Sequence, residues 1–159
     1  MPKLAEALIE RKDLQGRYNR ICARLKSNAK VQDGEQPSEQ PGELIDEARR
    51  VLDAIQKLTI QINHTNSTAI LPGDGNPSLM EAIAQRDRPR DERLMLEQFA
   101  QSARIEPSHG YGTRTEVKWY ATMSVADIQR EIDALSQAYR LLDTRIQEAN
   151  WIADLLPQN

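Results

Sequence analysis

A chain of 159 residues with net charge −3 has room for one domain and a real core, and its charge exerts no overall pull toward nucleic acid. Charged residues make up 28% and aromatics only 4%, which suits helix-on-helix packing and argues against a sandwich or barrel. The single cysteine, Cys22, excludes an intramolecular disulfide, and no apolar run approaches the ~20 residues of a membrane-spanning helix.

A first helix is expected from about Lys3 to Lys26, because Leu4, Ala7, Arg11, Leu14, Tyr18, Ile21 and Leu25 recur at helical steps. Arg11 is a cation where that pattern puts core, and Cys22 beside Ile21 reads as a small buried hydrophobe. Met1-Pro2-Lys3 leads straight into this charged amphipathic segment, so no secretory signal is expected and the location expected is cytoplasmic. The stretch from Asn28 to Gly42 holds two Pro and two Gly among polar residues and reads as a long connecting loop.

Leu44, Ala48, Val51, Ile55, Leu58 and Ile62 mark a second helix from about Glu43 to Asn66, antiparallel to the first. Thr68 to Leu71 reads as a short extended piece before a tight turn at Pro72-Gly73-Asp74-Gly75-Asn76. Ser78 with Glu81 forms a capping box that opens a third helix, with Leu79, Ile83, Leu94, Phe99 and Ala103 as core positions. Pro89 removes a backbone donor there and clashes with the preceding turn, so a kink or break is expected.

Gly110 and Gly112 mark a loop, and Thr113 to Met123 is rich in β-formers, a strand expected to pair with the Thr68–Leu71 piece. Ser124 with Asp127 caps a fourth helix whose seam is Val125, Ile128, Ile132, Leu135, Tyr139, Leu142, Ile146 and Ala149. Read as far as Pro157, it has about 31 residues and spans roughly 46 Å, nearly two turns more than the first two helices. The expected fold is therefore mainly all-α, a long antiparallel bundle of about four helices in one domain over 1–159, with a small β-hairpin from 68–71 and 113–123.

The blocks LAEALIERKDLQGR, NAKVQDGEQPSEQP, INHTNST and LDTRIQEANW, in this order, resemble a bacterial septicolysin-like family of small helical proteins. The resemblance implies a helical core with a small β element and assembly into a homo-oligomer, a hexamer, and its name suggests a membrane-active cytolysin. Two positions depart from the family pattern: Pro89, where a proline is unusual, and His64, where an arginine is common.

An up-down-up-down bundle gathers at one end the start of the first helix, the end of the second, the start of the third and the end of the fourth. These bring Glu6, Glu10 and Arg11; Asn63, His64 and Asn66; Arg86 and Asp87; and Asp143, Arg145, Glu148 and Asn150. Glu6, Glu10, Asn63, Asn66 and Asp87 are the candidate ligands for a divalent cation or a small polar molecule, with Arg11 as an anion partner. The alternative is an interhelical ion-pair network in which Arg11 pairs with Asp87 or a glutamate.

His64 and His109 lack the spacing of a zinc site, Ser108-His109 and Cys22 form no triad pattern, and neither glycine pair fits a phosphate loop, so no catalytic residue is assigned. The alternating Arg86, Asp87, Arg88, Arg90, Asp91, Glu92 and Arg93 read as a solvated, self-neutralising face. Trp151, Ile152, Leu155 and Leu156 crowd the end of the fourth helix, where they serve either as a subunit interface or as packing against the first turn of the first helix. The expected function is a non-enzymatic assembly protein without cofactor, its partner itself and neither nucleic acid nor membrane; ligand or divalent-metal binding at the polar end is the alternative.

Overall fold

The fold, taken from a computed structural model that describes residues 1–104 and 119–157, is all-α and consistent with a helical bundle. Its helices are α1 (Leu4–Ser27), α2 (Pro41–Thr68), α3 (Leu79–Ser102) and α4 (Val125–Ile152). They distribute over two compact units, one of Met1–Met80 with Gln147–Asn159 and one of Glu81–Ile146.

In the first unit α1 and α2 meet along the seams that their sequences announce. Ile21, Leu44, Ala48 and Val51 are buried together, with Leu14, Tyr18, Leu25 and Ile55 packed against them. The helices run antiparallel: Arg17 pairs with Glu47 near the connecting loop, while Glu10 lies beside Lys57 and Gln61 farther from it. Arg11 is only partly buried and makes no ion pair among the described residues, so the cation placed in the core by periodicity sits at the edge of the seam. Cys22 is likewise half-buried, in contact with the Tyr18 hydroxyl, which raises the tyrosine's pKa.

Asn28 organises the long loop. Its Nδ2 donates to the Arg24 carbonyl at 2.9 Å, and its Oδ1 accepts from Ser38 Oγ at 2.9 Å and from the Glu39 N–H at 3.0 Å. Arg24 adds an ion pair to Glu39, so the far end of the loop is fastened to the last turn of α1 before α2 begins.

The short β element has a different partner from the expected one. Ile70 bridges Ser78 in antiparallel fashion, with Leu71 N–H donating to the Pro77 carbonyl and Leu79 N–H to the Ala69 carbonyl, each at 2.8 Å. The intervening turn requires positive φ at Gly73, Gly75 and Asn76, which glycine and asparagine adopt readily. Of the expected strand over 113–123, residues 113–118 lie outside the described residues, and Trp119 to Met123 are not strand.

Two further corrections concern α3 and α4. The helix α3 continues through Pro89 without a break. Leu94, expected in its core, is 44% exposed, whereas Ala82 and Ala100 are buried. The helix α4 stops at Ile152, short of Pro157, and with 28 residues equals α2. The projecting excess inferred from its length is therefore absent. Residues 153–156 leave the helix because their backbone is used elsewhere: Leu4 N–H donates to the Ala153 carbonyl at 3.0 Å, and Leu155 N–H to the Pro2 carbonyl at 2.8 Å. Leu156 N–H donates to Thr65 Oγ1 at 2.9 Å, tying the tail to α2.

In the second unit Ala100, Ile128 and Ile132 form the core, with Leu96 and Phe99 against it. Asp127 N–H donates to Ser124 Oγ at 3.3 Å, the cap expected at the start of α4.

Candidate functional site

The paired carboxylates of α1 occupy a hollow on the first unit. Glu6 and Glu10, one turn apart, share a depression of about 300 Å³ with Pro2, Ala7, Ala54, Lys57, Leu58, Gln61 and Leu155. Apolar side chains line it together with two carboxylates, one ammonium and one amide. Glu6 is already engaged: its Oε2 accepts from the Lys3 N–H at 2.7 Å, satisfying a free donor at the start of α1. Asn63 is exposed on α2 and Asn66 half-buried, and neither lines this hollow.

Asp87 belongs to the second unit and has its own company there. Its Oδ1 accepts from Arg86 at 2.8 Å and lies 3.3 Å from Arg90. Arg86 also reaches Asp143 of α4 at 2.8 Å, and its guanidinium lies 5.7 Å from the centroid of the Tyr139 ring. With only 18% of its side chain exposed, Arg86 is the one cation of this cluster that is substantially desolvated. Burial pulls its pKa down, but the hydrogen bonds it donates to Asp87 and Asp143, with their charge, outweigh it and the net shift is upward. The interhelical ion pair weighed for Arg11 and Asp87 is thus made by Arg86 and Asp143, with Asp87 holding Arg86 in place. No three His, Cys, Asp or Glu side chains converge as a metal shell among the described residues.

The four apolar residues near the C-terminus divide. Trp151 is 56% and Ile152 73% exposed, while Leu155 is 6% exposed and buried within its own chain. Leu155 is therefore removed from the interface candidates, because the extended tail delivers it to the first turn of α1; Leu156 is half-buried. Lys3 is a residue that periodicity did not single out. Its Nζ donates to the Ile152 carbonyl at 3.0 Å and to Asp154 Oδ1 at 2.8 Å, which ends α4 and clasps the two termini together. The hydrogen bond and the charge of Lys3 hold the Asp154 carboxyl below its ordinary range. No local sequence signal marks partners 151 positions apart.

No helix of the described residues is long and apolar enough to cross a membrane. The profile of a family of unknown function, DUF6847, matches residues 11–155. Among curated proteins none matches the sequence. Among solved structures, a functionally unknown conserved protein from Corynebacterium diphtheriae is similar over 98% of this chain and 99% of its own, with 34% identity and a TM-score of 0.86. These matches overturn the septicolysin-like resemblance: no such family is indicated, and the cytolysin reading goes with it. The hexameric number rested on that resemblance alone and carries no further argument.

Proposed function

From the geometry of this chain, which belongs to the DUF6847 family of unknown function, we propose a non-enzymatic protein that acts by associating with further copies of itself. The observation that carries this reading is the adjacent exposure of Trp151 and Ile152 on the last turn of α4. A tryptophan beside an aliphatic residue, held on a helix end whose backbone is fixed by Lys3, is a rigid apolar anchor of the kind that dominates subunit contacts. Sedimentation velocity at micromolar concentration is expected to show an oligomer. Replacing both residues, Trp151→Ser with Ile152→Ser, is expected to lower its mass while the helical circular dichroism stays unchanged. A monomer for the unmodified chain would overturn the reading.

A second reading, binding of a small organic ligand that carries a cationic group, is supported by the hollow of about 300 Å³ with Glu6 and Glu10 on its rim. Thermal-shift measurements with small amines and amino acids test it. A stabilisation that Glu10→Ala abolishes supports this reading, and equal behaviour of both chains across the panel removes it.

A further inference from the structure

One flank of α1 is charged in a pattern that its own fold uses only in part. Glu6, Glu10 and Asp13 are followed by Arg17, Arg20 and Arg24 at steps of four and three, a continuous stripe with acids in the first half and bases in the second. Neighbours three and four apart within each half carry like charges, which opposes an isolated helix; a face evolved for solvent gains by alternating them. The helix dipole favours such segregation only in the first and last turns, so it does not account for Asp13 and Arg17 in the middle.

Arg17 and Arg24 reach Glu47 and Glu39 of the same chain, and Glu6 caps Lys3, but Glu10, Asp13 and Arg20 are exposed and make no ion pair among the described residues. Beside the stripe run Ile9, Gly16 and Ala23 at heptad spacing, with Ile9 52% exposed. Gly16 weakens the helix and lacks a reason within the chain, since a Cβ there would meet only the end of Arg20 at an ordinary 3.5 Å. A helix lying over it can approach closely. The stripe, with Ile9 and Leu14, borders an open surface formed by residues of α1 alone.

We propose that this face of α1 docks on the same face of a second copy, antiparallel, about a two-fold axis passing near Gln15 and Gly16. Turning α1 end over end about residue 15 places Asp13 opposite Arg17, Glu10 opposite Arg20 and Glu6 opposite Arg24 of the second copy, and each match occurs twice. The charge order is complementary to its own reverse, which a second copy lying antiparallel presents and a uniformly basic or acidic partner does not.

This inference rests on the self-association reading and names one contact surface for it. Sedimentation velocity of the full chain tests it with Glu10→Arg, Arg20→Glu, the two combined, and Gly16→Leu, circular dichroism confirming the helices each time. Each single reversal and Gly16→Leu are expected to weaken association by about tenfold or more, and the combined reversal, which restores opposite charges across the axis, to recover it. Association of the unmodified chain is expected to weaken as salt rises. If the unmodified chain associates and the single reversals leave its mass unchanged, or the combined reversal does no better than either alone, this surface is wrong while self-association stands. A monomeric unmodified chain overturns both.

Discussion

One amide, that of Asn28, holds the end of α1 and the far end of a ten-residue excursion together through a donor and two acceptor bonds. Removing it in Asn28→Ala leaves the Ser38 hydroxyl and Glu39 N–H to find water at a site where Asn28 itself is 7% exposed, while the Arg24 carbonyl keeps the N–H of residue 28. The expected loss is about 1–3 kcal/mol, read as a lower urea midpoint. Asn28→Asp keeps the two acceptor bonds and loses only the donor, so it is expected to fall between the two. The loop read over 28–42 runs two residues too far, since α2 already begins at Pro41, and the reading did not mark Asn28 as its fastening, because an asparagine's partners ten and eleven positions away leave no periodic trace. The same holds for Arg24, whose ion pair to Glu39 is a tertiary fact written nowhere in the spacing of α1.

Helices α1 and α2 were legible because an amphipathic seam is a local pattern that packing enforces at every turn, and Leu4, Ile21, Leu44, Val51 and Ile62 are buried where that pattern puts them. In α3 a local rule misled. Pro89 costs a backbone hydrogen bond, yet the helix runs on, with Arg86 three residues earlier bonded to both Asp87 and Asp143. Replacing the proline in Pro89→Ala restores the lost bond and is expected to stabilise the protein by about 1–3 kcal/mol, seen as a higher Tm. Arg86→Ala is expected to act in the opposite direction by about 2 kcal/mol, since it takes the cation from partly buried Asp143 and leaves Asp87 with Arg90 alone. Arg86→Met keeps much of the packing against Tyr139 and is expected to be milder, which separates the loss of charge from the loss of volume. Denaturation of the three chains side by side at neutral pH measures all of these.

At the scale of the whole chain, the two ends meet: residues 2–4 and 153–155 exchange backbone hydrogen bonds, Lys3 bridges Asp154, and Leu155 is buried in the first unit. Sequence reading placed Leu155 on a projecting helix because it followed α4 to the next proline; the chain leaves the helix five residues sooner, where extended backbone can pair with residue 3. Leu155→Ala removes a buried side chain and leaves a cavity, an expected cost of about 2–5 kcal/mol. The ion pair of the clasp has its own signature in pH. Lys3 holds the Asp154 carboxyl below its ordinary value in the folded chain, so the unfolded chain binds the proton more readily. The stabilisation is therefore fully present above the ordinary carboxylate range near ~4, and it is lost as pH falls through the lower folded value. Lys3→Met removes the cause of the shift, so the gap in urea midpoint between the two chains is expected to be largest at neutral pH and to shrink below about pH 4. A gap that stays constant down to the acid limit would show that Lys3 acts through its packing and its bond to the Ile152 carbonyl, not through Asp154.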